Sequence, residues 1–153
     1  MATASWITLD VAEVEHYLLA PQLNALRSAA LGSTQGDPLP EIIRDVCRRI
    51  RAEVQGCKSN QISPVEHAIP PSLKTAAMAL IVGLAQTRLP MLSLTEDQVR
   101  NIRSAERYLE RVAACEVPVE QPADAITDVQ AGGAVELASS VGHIQTMESL
   151  QGL

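Results

Sequence analysis

Between Ile43 and Val54 the apolar residues recur with the period of an α-helix, which leaves this segment one choice of secondary structure. The repeat occupies positions i, i+3, i+4, i+7 and i+11: Ile43, Val46, Cys47, Ile50 and Val54. Side chains with this spacing share one face of a helix, and the charged residues between them occupy the other face. The segment is therefore predicted to form an amphipathic helix that begins at Pro40 or Glu41 and ends near Gly56.

Proline and glycine residues divide the rest of residues 1–116 into further helical segments. These are predicted from Val11 to Ala20, from Pro21 to Leu31, from Pro71 or Ser72 to Arg88, and from a capping box at Ser93 or Thr95 to a point before Pro118. The 71–88 segment is apolar on more than one face, which predicts the most buried helix, and its Gly83 permits close contact with a neighbouring helix. The three aromatic residues include no Phe, which disfavours a β-sandwich or barrel. We predict an all-α fold, a bundle of four to five helices.

The charges divide the chain after residue 116. Residues 1–116 carry all 12 basic and 13 of the 18 acidic residues, whereas residues 117–153 carry five acidic residues and no Lys or Arg. Pro118 and Pro122 exclude a helix at the start of this second part, and its glycines and serines interrupt any sustained helical period. We predict a helical body over residues 1–116 and an extended, mostly irregular C-terminal tail over residues 117–153 that becomes ordered on a partner.

The three cysteines are predicted to be free thiols. They are Cys47, Cys57 and Cys115, an odd number without a CxxC pair. Such a set is typical of a reducing compartment rather than of a disulfide framework. We therefore expect thiols that are buried or half-buried.

The sequence offers no recognisable site for catalysis, metal binding or membrane insertion. The histidines, His16, His67 and His143, lie in three separate segments without a carboxylate or cysteine at metal-ligand spacing. The longest apolar stretch, residues 76–85, is about half of the roughly 20 residues that a bilayer needs. We predict a chain that is not an enzyme, holds no metal or cofactor and does not insert into a membrane.

Arginines form stripes on two of the predicted helices. Arg44, Arg48 and Arg51 share a face of the 41–56 helix, and Arg103 and Arg107 share a face of the last helix. Acidic residues interleave with both stripes, so pairing along a solvent-exposed helix is one interpretation. A subunit interface in a homo-oligomeric ring is a second. Contact of the first stripe with DNA phosphates is a third, although the net charge of -6 gives little general attraction.

Two groups of apolar residues are candidates for docking on another subunit or protein. Trp6 stands ahead of the first helix, where it either packs locally as a hydrophobic staple or contacts a partner. The tail contributes seven scattered apolar residues: Val117, Val119, Val135, Leu137, Ile144, Leu150 and Leu153. Apolar residues in a flexible segment suit binding that is coupled to folding.

The order of the segments resembles a known family. Five segments carry the resemblance. In chain order they are a short opening, the junction of a helix pair, an amphipathic helix, the proline-led start of the apolar helix, and the last helix with the proline-containing segment after it. Their ranges are Trp6–Leu9, Ala20–Leu23, Ile43–Gly56, Ile69–Lys74 and Arg100–Pro122. In this order residues 6–122 resemble the head-tail connector proteins (adaptor or head-completion proteins) of tailed bacteriophages and prophages.

The resemblance implies a structural virion protein without enzymatic activity or cofactor. Members assemble into a ring, commonly a dodecamer, under the portal protein at the capsid vertex. The ring extends the DNA channel and meets a stopper or tail-completion protein, while genomic DNA passes through without specific binding. The resemblance thus implies a place in the virion neck after assembly in the host cytoplasm, with the tail engaging the portal.

Two other functions remain open. One is a small helical regulatory or DNA-binding module, such as a small terminase-like protein, although the 32–40 loop is too long and its flanks too neutral for a helix-turn-helix. The other is a small helical enzyme, for which the sequence lacks a cluster of acid, base and nucleophile.

Overall fold

The computed structural model describes residues 2–30, 36–88 and 93–125. Its elements in chain order are β1 (Thr3–Ala4), α1 (Val11–Tyr17), α2 (Ala20–Ala30), α3 (Leu39–Gly56), a 3₁₀ turn (Pro71–Leu73), α4 (Lys74–Arg88), α5 (Glu96–Ala113) and β2 (Gln121–Pro122). The predicted helical bundle is confirmed, with the addition of a two-stranded parallel sheet. Among the described residues, no helix combines the length and the apolarity that crossing a bilayer requires.

The core lies where α3, α4 and α5 pack against one another. The inward face of α3 contains all five residues of the helical repeat. Every residue of α4 from Ala76 to Val82 is buried, which explains why its sequence is apolar on more than one face. A Cβ at Gly83 would lie 3.4 Å from two side-chain carbons of Ile102 in α5, so the predicted close contact at this glycine is confirmed.

The helix limits follow from capping and from proline. α5 begins at the second of the two predicted capping boxes, in which the side chains of Thr95 and Gln98 each bond the other's backbone N–H. α1 ends at Tyr17, short of the predicted end at Ala20. It is followed by Leu18, which is extended (φ -76°, ψ 141°), and the chain then begins α2, where Pro21 lies in the first turn and its missing N–H leaves no helical bond unmade.

α5 ends in a Schellman motif with Cys115 where glycine is usual. The N–H of Cys115 donates to the carbonyl of Val112 (3.1 Å), and the N–H of Glu116 donates to the carbonyl of Arg111 (2.9 Å). Cys115 has a φ of 61°, a left-handed conformation that residues with a Cβ rarely adopt. The turn places Cys115 beside the end of α3.

The prediction that all three cysteines are free thiols is wrong. Cys57 and Cys115 form a disulfide with their Cα atoms 5.2 Å apart, and Cys47 is the free, buried thiol. The bond joins the ends of α3 and α5, which are 58 residues apart in the sequence. Spacing in the sequence does not reveal it, because it depends on two helices ending at the same end of the bundle.

The segment after α5 returns over the body. β2 pairs in parallel with β1, and Val119 just before it is buried. Residues 117–125, at the start of the predicted tail, have partners in the N-terminal strand and in the loop after α3 and pack on the helical body. The rest of the predicted tail, residues 126–153, lies outside the described residues.

Candidate functional site

The two ends of the described chain close on each other and on the loop of residues 57–70. The side chain of Trp6 is 8% exposed, and its Nε1 donates to the carbonyl of Glu120 (3.0 Å). The hydroxyl of Ser63 donates to the carboxylate of Asp124 (2.8 Å). We call this arrangement the clasp. Trp6 thus packs within its own chain, and contact with another protein would first require the clasp to open.

Arg51 holds the 57–70 loop from the side of α3. Its guanidinium donates to the carbonyls of Ala68 (2.8 Å), Ser63 (2.9 Å) and Val65 (3.0 Å), and its Cζ lies 5.8 Å from the centre of the Trp6 ring. A planar side chain with five N–H donors suits several carbonyls that have no partner in a helix or sheet. Arg51 was predicted at a subunit interface, but its guanidinium is committed to its own loop.

Cys47 lies close to Arg51, and its thiol has low reactivity. Burial raises the pKa of the Cys47 thiol to about 11, although the positive charge of Arg51 opposes this shift. A thiol with such a pKa is protonated at neutral pH and is a weak nucleophile.

The other two arginines of the α3 stripe are exposed. Arg44 donates from its Nε to the carbonyl of Pro40 in the same helix (3.4 Å). Arg48 lies 3.8 Å from the carboxylate of Asp45, and its side chain is 63% exposed. Both guanidinium groups remain accessible, and a subunit contact through Arg44 and Arg48 stays a prediction.

A second set of arginines forms an exposed face on α5. We call Arg100, Arg103, Arg107 and Arg111 the α5 arginine face. Arg100 pairs with Asp97 (3.5 Å) and Arg111 with Glu116 (3.2 Å). Within the described ranges, Arg103 and Arg107 have no ion-pair partner.

An apolar groove of about 430 Å³ opens beside this face, between α3, α4 and α5. Its floor is formed by the side chains of six apolar residues and the backbone of Gly83; the six are Val46, Leu80, Leu84, Leu94, Val99 and Ile102. Arg49 and Glu106 lie 3.8 Å apart on its rim, and Asp45 and Arg103 also line it. Because Val99 and Arg103 also border the α5 arginine face, the groove and the face form one continuous surface.

The predicted docking residues of the tail divide into two groups. Val119 is buried in its own body and Val117 is half-buried there. The other five fall outside the described residues: Val135, Leu137, Ile144, Leu150 and Leu153.

Titratable side chains do not converge on a site in the described part of the chain. There, no group of three or more His, Cys, Asp or Glu residues lies close enough to hold a metal ion. His67 has a left-handed φ of 65°, and its Nε2 lies 3.4 Å from Glu66. The candidates that remain are surfaces for interaction: the exposed α3 arginines and the groove with the α5 arginine face.

Comparisons of the chain with family models, with curated proteins and with solved structures found no match.

Proposed function

We propose that this chain is a head-tail adaptor of a tailed bacteriophage or prophage. It acts as a structural virion protein without enzymatic activity or cofactor, and it assembles with copies of itself into a ring, commonly a dodecamer, under the portal. The ring extends the DNA channel from the portal to a stopper or tail-completion protein. The chain would work in the virion neck after assembly in the host cytoplasm.

The observation that carries the proposal is the contrast between a closed helical body and the segment that follows it. The body ends in the clasp, and residues 126–153 then continue with three acidic residues, no Lys or Arg and apolar residues at intervals. A segment of this composition buries too little apolar area to fold by itself. It therefore suits binding to a larger assembly. The order of the sequence segments, including the prolines that precede α4, is the basis of the resemblance to that family.

The charges support a channel component rather than a DNA-binding protein. With a net charge of -6 the chain has little general attraction for DNA phosphates. A wall that gripped phosphates would retard DNA as it passes. The proposal therefore gives DNA no specific site on this chain.

The test is the mass of the assembly. Native mass spectrometry of the full chain, alone and mixed with the portal protein of the same phage, is expected to show a ring, or a monomer that becomes a ring on the portal. A chain ending at Ala125 is the matched variant, since it keeps the clasp intact. We expect it to retain its helical circular-dichroism spectrum and to lose portal binding.

Two outcomes would contradict the proposal. A stable monomer or dimer that ignores the portal and shifts DNA in a gel would favour the regulatory, small terminase-like module. Full portal binding by the chain that ends at Ala125 would remove the role given to residues 126–153.

The exposed α3 arginines give a second prediction. Arg48→Glu is expected to prevent ring formation and to leave the helical content unchanged, because Arg48 is exposed and its one ion pair, with Asp45, is of a kind worth about 0–1 kcal/mol. Light scattering and circular dichroism measure the two effects. Lys58→Glu, an equal charge reversal at an exposed position beyond α3, is the control. Normal rings from Arg48→Glu would exclude Arg48 from the interface.

A further inference from the structure

The apolar groove and the α5 arginine face together fit a peptide that is both apolar and acidic. Three of the five arginines on this surface are ion-paired, Arg49 with Glu106, Arg100 with Asp97 and Arg111 with Glu116, whereas Arg103 and Arg107 have no ion-pair partner among the described residues. Residues 1–125 carry 12 basic and 15 acidic residues, so Arg103 and Arg107 form a local positive site on a body that is negative overall. A half-buried apolar groove beside two cations without ion-pair partners suits such a peptide, because it offers apolar contacts and opposite charge together.

Residues 126–153 have the composition that this surface requires. The segment carries Asp128, Glu136 and Glu148 and no Lys or Arg, so its charges are all of the opposite sign. Glu136 stands between two apolar residues, Val135 and Leu137. Glu148 follows Met147 and lies near Ile144 and Leu150. Each of these two carboxylates therefore has apolar neighbours that can fill a groove beside an arginine.

The segment also starts close enough to reach the groove of its own chain. Asp124 bonds to Ser63 near the end of the bundle where α3 terminates. Arg49 on the rim lies seven residues before the end of α3 at Gly56, which is about 10 Å along a helix. The 28 residues from 126 to 153 can span up to roughly 90 Å when extended. Tethering at this distance gives an effective concentration on the order of millimolar, well above that of other copies in dilute solution.

We propose that residues 126–153 bind in the apolar groove of the same chain. Their apolar side chains cover the groove floor, while Glu136 and Glu148 face Arg103 and Arg107. This inference concerns the isolated chain and does not rest on the proposed adaptor function.

Photo-cross-linking in the full chain tests this placement. A benzophenone amino acid replaces Ile144, a position outside the described core, and the protein is irradiated at low micromolar concentration. We expect cross-links within monomers, which peptide mass spectrometry maps to residues of the groove floor such as Leu84, Val99 and Ile102.

Charge reversal tests the role of the arginines in the same assay. Arg103→Glu with Arg107→Glu is expected to lower the cross-link yield about tenfold, because two attractive charges become repulsive. Adding Glu136→Lys and Glu148→Lys to the arginine variant makes the charges opposite again and is expected to restore the cross-link yield. The yield would stay low if the arginine substitutions had only disturbed the fold. Arg44→Glu, on an exposed part of α3 away from the groove, is the control and is expected to leave the yield unchanged.

Three results would overturn the proposal. The first is cross-linking outside the groove, and the second is cross-linking between chains with none within a chain. The third is a yield that does not respond to the reversal at Arg103 and Arg107.

Discussion

Loss of the disulfide between Cys57 and Cys115 is expected to lower the free energy of unfolding by about 4 kcal/mol. The bond closes a loop with a sequence separation of 58 residues, and the chain-entropy model gives a value near this for a loop of such length. Cys57→Ser is the cleanest variant, because it leaves the left-handed residue at the end of α5 unchanged. Urea unfolding with and without a reductant measures the effect: the reductant should destabilise the natural chain and leave Cys57→Ser unaffected.

A matched variant at the other cysteine separates the effect of the cross-link on stability from the effect of the backbone conformation. Cys115→Gly also removes the disulfide, but glycine is favoured at the φ of 61° that Cys115 adopts. We expect it to be less destabilised than Cys57→Ser by up to about 1 kcal/mol. Thiol titration of the denatured natural chain should find one free thiol, that of Cys47, and three after reduction. Three free thiols in the non-reduced protein would contradict the bond.

The helices could be predicted because their signals are local. The repeat in α3 and the apolar run in α4 each define their own buried face, whichever element later covers it. The capping box at Thr95 needs only a side chain three residues away. Pro21 lies in the first turn of α2, a position that tolerates its missing N–H and that local sequence also indicates.

The contacts that close the body could not be predicted, because their partners are far apart in the sequence. Trp6 and Glu120, which form one side of the clasp, are separated by 114 residues. Pro118 and Pro122 correctly excluded a helix, but an irregular segment has no periodic face that would indicate where it packs. The groove has the same origin, since its floor is assembled from α3, α4, α5 and the residues before α5.

The position of Arg51 in the α3 repeat distinguishes it from the exposed arginines of the same helix. It lies four residues after Cys47 and three before Val54, so it borders the apolar face of α3, whereas Arg48 projects away from that face. A cation at the edge of an apolar face has to find acceptors nearby, and Arg51 finds them in the 57–70 loop. Grouping the arginines by their mutual spacing concealed this difference.

Arg51→Ala is accordingly expected to be among the most destabilising substitutions in the chain, at about 3 kcal/mol, because hydrogen bonds from a charged group contribute about 1.5–3 kcal/mol each before solvent exposure is considered. It removes all the guanidinium's bonds to the carbonyls of Ser63, Val65 and Ala68, together with its contact with the ring of Trp6. Urea unfolding monitored by circular dichroism and by Trp6 fluorescence measures the loss.

Two companion variants show whether the loss comes from the geometry of the guanidinium. Arg51→Lys keeps the charge but lacks the planar fork, so we expect it to recover about half of the loss. Arg48→Ala removes an exposed arginine of the same helix and should change stability by no more than about 0.5 kcal/mol. Hydrogen exchange should also accelerate in Arg51→Ala at the amides of Ala68 and Ile69, which donate within the loop and to Ile7, before it accelerates in α4. Equal losses of unfolding free energy in Arg51→Ala and Arg48→Ala would contradict this role of Arg51. The position of the 57–70 loop would then depend on the contacts of the clasp.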